Sequence, residues 1–290
     1  MNRVDAHHHV WDLGRRPQPW LGTGGMDSIH RTVPLSELAG PAAAAGVGRT
    51  VLVQVLPDTE ETTEFLALAA DSELVAGVVG WTDLTRGTAV ADLLARLRAA
   101  PGGRLLAGVR HLVQGEADPR WLCRADVRAG LAAVADAGLV YDLLVLPHQL
   151  PAAIETVRAL PGLTFVLDHL AKPPIAAGRT EPWSGLIGTL AAEPNVHAKL
   201  SGLVTEADRE RWTVADLRPY AERALEVFGP SRLMFGSDWP VCLPVADYAQ
   251  VVAAAEELTS GLSAAERAEV FGGTAERVYG LPPAGGPAPA

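Results

Sequence analysis

Cysteine is scarce here: two in 290 residues, Cys123 and Cys242, with no C-x-x-C spacing between them. So few thiols supply neither a disulfide framework nor a thiolate zinc site, and the expected compartment is a reducing cytoplasm. Basic charge is also short. Against 34 Asp and Glu stand 24 Lys and Arg, for a net charge of −10, and no local run of cations offsets that balance. A phosphate backbone or an anionic bilayer finds no attractive patch, which argues against a nucleic-acid or membrane partner. No uninterrupted apolar run approaches the ~20 residues of a membrane span, and "MNRVDAHHH" lacks the apolar stretch of a secretion signal. Two motifs are missing as well. Without G-x-G-x-x-G after the first strand a dinucleotide fold has no support, and without G-x-S-x-G near a strand end covalent acyl-enzyme chemistry has little.

What remains is a chain with 48% hydrophobic and 20% charged residues and a mean hydropathy of +0.14, the balance of a globular protein with a large interior. Short β-branched runs alternate with helical spacing, the signature of parallel βα units. Eight such strands can be read: "VDAHHHV" at 4, "TVLVQV" at 50, "AGVVGW" at 76, "LAGVRHL" at 106, "VYDLLV" at 140, "TFVLDH" at 164, "VHAKLSG" at 196 and "RLMFGSD" at 232. Between them, Val90, Leu93, Leu94 and Leu97 share a helix face that Thr88 is placed to cap. Val127, Leu131 and Val134 share another, ending at Gly138. Eight units in one chain predict a single-domain α/β (β/α)8 TIM barrel over 1–281. "LGRRPQPWLGTGGMDSIHRTVP" reads as a long loop folding over the barrel mouth, Ser263 and Glu266 as the capping box of a terminal helical hairpin, and 282–290 as a disordered tail.

The three histidines at 7–9 lie between Val4 and Val10 of an apparent strand rather than in a linker, which argues against a purification tag. Residues two apart on a strand face one side, ~6.6 Å apart. His7 and His9 therefore form an H-x-H pair, with His8 turned toward the helices. On strand six, the parity that turns Phe165 and Leu167 inward also delivers His169. On strand eight, Met234, Gly236 and Asp238 share a face. Functional groups of a barrel collect at the C-terminal strand ends, so three imidazoles and a carboxylate converge there, a donor set suited to one Zn²⁺ with room for water. Arg110 on strand four is fitted to hold a carboxylate or a hydroxyl-rich substrate, its bland alternative being an internal salt bridge. Gln54, Trp81, Trp239, Lys199 and Ser201 are placed to contact a ligand. His111 is expected outside in a structural role, His148 is the weakest candidate ligand, and His30 has no assigned role.

The segments "DAHHHVWD", "GVRHLVQ", "VLDHLAKPP", "KLSGLVTEAD" and "FGSDWPVC" resemble, in order, those of the amidohydrolase superfamily. The likeness is to the amidohydrolase-related group that contains sugar lactonases acting on L-fucono- and L-rhamnono-lactones. The resemblance implies a distorted (β/α)8 barrel, His7 and His9 as the strand-one pair, His169 as the strand-six histidine and Asp238 as the catalytic carboxylate. One departure matters: Arg110 ends strand four where many members have Lys or Glu, and no clear histidine ends strand five, so a binuclear centre is not expected.

Lactone hydrolysis is the leading reading, with Asp238 as general base and then general acid, and with a metal or the imidazoles themselves steadying the oxyanion. Its rivals are a zinc-dependent decarboxylase or amide hydrolase of the same superfamily and a non-catalytic binding barrel. A small-molecule substrate and one divalent metal, Zn²⁺ first, are expected, and a homo-oligomer is left open.

Overall fold

The structure, a computed structural model, describes residues 3–22 and 25–282. Eight parallel strands pair in sequence order, β1 (Arg3–His8), β2 (Val47–Val53), β3 (Val75–Gly80), β4 (Leu106–His111), β5 (Val140–Leu143), β6 (Phe165–Leu167), β7 (Val196–Leu200) and β8 (Leu233–Phe235). Around them lie α1 (Ser36–Ala44), α2 (Thr59–Ala70), α3 (Val90–Ala99), α4 (Ala125–Asp136), α5 (Leu150–Ala159) and α6 (Trp183–Ala191). A single turn, α7 (Leu203–Glu206), precedes α8 (Val214–Phe228), α9 (Tyr248–Leu258), α10 (Ala264–Ala268) and α11 (Thr274–Tyr279). This is the expected single-domain distorted (β/α)8 barrel, with every strand where the alternation put it.

The distortion has identifiable causes. Between β1 and β2 the register runs from Asp5 opposite Thr50 to His8 opposite Leu52, so three residues of β1 oppose two of β2. That extra residue is a β-bulge, and it re-aims the side chains beyond it. No regular ladder joins β8 back to β1. A buried carboxylate does much of that work: Asp5 Oδ1 accepts the backbone N–H of His7 at 3.1 Å and of Ser237 at 2.8 Å, and Oδ2 accepts the Tyr248 hydroxyl at 3.1 Å. Beyond it, the N–H of Asp238 donates to the His7 carbonyl at 2.8 Å and that of His9 to the Trp239 carbonyl at 2.7 Å.

Two apolar layers result. Val4, Ala6, Val51, Val53, Val140, Val166 and Met234 form one cluster with Tyr279 and Leu281, in which the last helix meets the strands. A larger layer packs the strands against the helices and holds Phe165 and Leu167. The parity expected for strand six is therefore reversed: Val166 and Asp168 share the face that carries Asp142 and Lys199. The reason is that β6 stops at Leu167, and the chain turns before a strand alternation can reach His169.

Two smaller expectations also change. Thr88 lies inside a 3-10 turn (Leu84–Ala89) capped by Asp83, and α3 starts at Val90 with no side-chain cap. The C-terminal pair is not a simple hairpin, because α10 runs through a wide π turn at Glu269–Gly273 into α11. The Ser263–Glu266 capping box and left-handed Gly138 are as expected. The long loop is pinned at its base by backbone bonds between Trp11 and Val33 and makes two 3-10 turns. Of the predicted tail, 283–290 lie outside the described residues.

Candidate active site

His7 and His9 follow the bulge, and their Nε2 atoms stand 3.1 Å apart. Asp238 Oδ1 lies 3.7 Å from His7 Nε2, 3.6 Å from His9 Nε2 and 3.8 Å from His169 Nε2. Three strand ends thus bring four buried side chains to one point. Gly236 makes this approach possible, since a Cβ there would stand 2.8 Å from the His7 Cβ.

His169 arrives by an unusual route. Residues His169, Leu170, Ala171 and Lys172 all have positive φ, between 51° and 60°, a left-handed turn made without glycine. Each such residue costs roughly 1–2 kcal/mol. The turn is held by the fully buried Leu170 and Ala171 and by the Trp183 indole, which donates to the Leu170 carbonyl at 2.6 Å. Asp238 is also left-handed, at φ 58°. Strain of this kind persists where the surroundings over-determine it, commonly at working sites.

The rings are oriented from behind. His9 Nδ1 lies 2.8 Å from the Val53 carbonyl, which fixes the proton on Nδ1 and leaves the Nε2 lone pair facing the centre. His169 Nδ1 lies 2.9 Å from the Ser201 hydroxyl. His7 Nδ1 sits 3.4 Å from Asp168 and 3.1 Å from the Lys199 ammonium. Burial pushes all three imidazoles down, His169 to about 4, so they are neutral at neutral pH. Burial alone would raise the Asp238 carboxyl, but attraction to the rings of His169, His9 and His7 in their protonated form outweighs it and holds the carboxyl well below the usual carboxylate range.

Two sets of three side chains are spaced to share a metal ion: His7, His9 and Asp238, and His7, Asp168 and His169. Ligand atoms around a tetrahedral zinc with bonds of ~2.1 Å stand about 3.4 Å apart, and the separations of 3.1–3.8 Å bracket that value. The charges agree. Asp168 is already paired with Arg110 at 3.0 Å and Lys199 at 3.0 Å, whereas the contacts of the Asp238 carboxylate are with the three imidazoles. A cation held by His7, His9 and Asp238 fits this chain's own residues, with His169 3.8 Å from Asp238 beside it.

Beneath the centre runs a fully buried ion network. Lys199 pairs with Asp142 at 2.5 Å and with Asp168, and the Tyr279 hydroxyl donates to Asp142 at 2.9 Å. Arg110, 3% exposed, donates from Nε to the Gln54 side chain at 3.0 Å, also to the Gln54 carbonyl, and pairs with Asp168. Above the centre opens a cavity of about 480 Å³, lined by His9, Arg110, His169, Lys172 and Asp238 and walled by apolar side chains. Trp20 and Met26 of the long loop form part of that wall.

The other expected contacts lie elsewhere. Gln54 bridges Arg110 and the Leu56 carbonyl, Lys199 is sealed below the cavity, and Trp239 is buried at the β1–β8 closure. Trp81 donates its indole N–H to His111, whose ring stacks on Trp121 at 4.3 Å. None of these four lines the cavity. His148 and His30 are exposed, and His8 is buried with both ring nitrogens unpartnered. Sequence reasoning passed over Asp5, Asp142, Asp168 and Lys172. Asp168 had a usable signal, an acidic residue next to His169 at a strand end.

Fold and centre define an α/β-barrel enzyme with a histidine–aspartate site at the C-terminal ends of its strands. The chain belongs to the Amidohydrolase family, whose model matches residues 4–281. It is 40% identical to the L-fucono-1,5-lactonase of Burkholderia ambifaria over 281 residues, covering 96% of this chain and 95% of that one. The L-fucono-1,5-lactonase of Burkholderia multivorans is likewise 40% identical, over 97% of this chain and 96% of that one. A solved amidohydrolase from Burkholderia multivorans with bound zinc superposes with a TM-score of 0.90 at 40% identity, covering 97% of this chain and all of that one. Among the described residues no helix is long and apolar enough to cross a membrane.

Proposed function

We propose that this protein is a lactonase that opens a sugar lactone such as L-fucono-1,5-lactone by attack of water, working in the reducing cytoplasm. The observation that carries the reading is Asp238 Oδ1 standing 3.6–3.8 Å from the Nε2 atoms of His7, His9 and His169 at the floor of a cavity. The 40% identity to two L-fucono-1,5-lactonases over nearly the whole chain supports the substrate class.

In this reading Asp238 Oδ1 takes the proton of the attacking water and returns it to the ring oxygen as the C–O bond breaks, acting first as general base and then as general acid. His7, His9 and Asp238 would hold Zn²⁺, with His169, 3.8 Å from Asp238, as the expected fourth ligand, as the related amidohydrolase with bound zinc suggests. Such an ion supplies Lewis acidity to the lactone carbonyl. Arg110, fixed by Gln54 and Asp168, orients the substrate from the cavity wall. Lys199 and Gln54 act as positioning residues, one beneath His7 and one behind Arg110. The decarboxylase and amide-hydrolase readings are less favoured because the curated relatives at 40% identity are lactonases. The binding-barrel reading is disfavoured by the intact base.

A panel of sugar lactones assayed by acid release, with and without a chelator, tests the proposal. Wild type is expected to hydrolyse L-fucono-1,5-lactone, and Asp238→Asn to lose about 10²–10⁴-fold in kcat with an unchanged fold by circular dichroism. Near-normal turnover by that variant would remove the general base.

A further inference from the structure

Beyond the reacting centre and Arg110, the polar side chains lining the cavity are Gln114 and Lys172. Arg110 is largely held by Gln54 and Asp168. Lys172 is not. Its side-chain partner among the described residues is Glu206, whose Oε1 lies 3.6 Å from Nζ, well beyond the 2.7–2.9 Å of a charge-assisted hydrogen bond. The two side chains are 25% and 26% exposed, so neither has the solvent that would satisfy it at a free surface. Lys172 therefore keeps donor capacity on the cavity side.

Lys172 is also placed firmly. It closes the left-handed turn that carries His169, with its backbone N–H donating to the His169 carbonyl at 2.8 Å. Glu206 ends the turn α7 that follows β7, so the pair joins two strand ends beside the reacting centre.

We propose that Lys172, with Glu206 behind it, is the specificity element for a neutral hydroxyl on the lactone ring, the cavity-lining ammonium donating to its oxygen while the carboxylate cancels the charge. The balance of charge favours this ligand. A lone ammonium would invite an anionic substituent, but Glu206 cancels it, and an anion would meet the carboxylate as well. A hydroxyl accepts from the ammonium without that repulsion, and a ring without one leaves the partly buried ammonium to be desolvated without compensation, which is how such sites discriminate strongly. The inference rests on the lactonase reading and names the group that it reads on the substrate.

The test compares freshly prepared L-fucono-1,5-lactone with δ-valerolactone, which has no hydroxyl, using the protein as purified and with metal content measured for each variant. Lys172→Met is expected to lower the ratio of kcat/KM for fuconolactone over valerolactone about 10–100-fold, mainly through KM. Lys172→Arg should recover part of that ratio. Glu206→Gln, which keeps a polar partner but frees the positive charge, should improve relative activity on muconolactone, a lactone that carries a carboxylate. Equal losses on both neutral lactones in Lys172→Met, or an unchanged ratio, would overturn the assignment while leaving the lactonase reading intact. Wild type inactive on every lactone would instead sink that reading.

Discussion

Glu61 shows how a single buried carboxylate supports the site from a distance. It accepts the backbone N–H of Val55 at 2.7 Å and of Leu56 at 2.9 Å, two residues of the cavity wall, and burial raises it from 4.5 to about 7. A carboxyl raised by folding favours the native state at low pH, and that contribution is lost as pH rises from 4.5 through about 7. Glu61→Gln removes the titration. Urea unfolding from pH 4.5 to 8 should therefore show wild type losing about 2–3 kcal/mol relative to this variant as pH rises. A constant difference between the two would mean that Glu61 does not titrate in that range. Nothing in "DTEETTEF" marks Glu61 out, because a glutamate in the first turn of a helix is ordinarily solvated. His7, His9, Arg110 and Asp238 were legible because polar residues at the ends of apolar strands have few other uses. Lys199 was visible too, but its partners Asp142 and Asp168 come from other strands and only the three-dimensional register brings them to it.

Among the elements, β1 and β6 depart furthest from ideal geometry, and both departures serve the centre. The Asp5 clasp holds three donors that would otherwise be buried unpaired. Asp5→Ala is expected to destabilise the protein by about 3–5 kcal/mol, read as a lowered urea midpoint, whereas a loss below about 1 kcal/mol would show that β1 and β8 close without it. In the left-handed turn, Ala171 at φ 60° can become Gly with little change in Tm, while Ala171→Val should lower it by several degrees. Strand positions followed from β-branched runs alternating with helical spacing. The bulge and the turn did not, since neither carries the glycine that usually announces such backbone, and the parity of strand six was misread for that reason.

For the molecule as a whole, a divalent ion bound by three strand ends would tie distant parts of the chain together. Dialysis against a chelator should lower Tm and lactonase activity together, both returning with added Zn²⁺, and His7→Ala should reduce metal content by elemental analysis. Full activity in verified metal-free protein would remove the ion from the reaction. The last helix belongs to the same connected unit, through the Tyr279 hydroxyl on Asp142, Asp142 on Lys199, and Lys199 against His7. Loosening Tyr279 from Asp142 would therefore be felt at His7, so the anchoring of the last helix reaches the reaction centre itself.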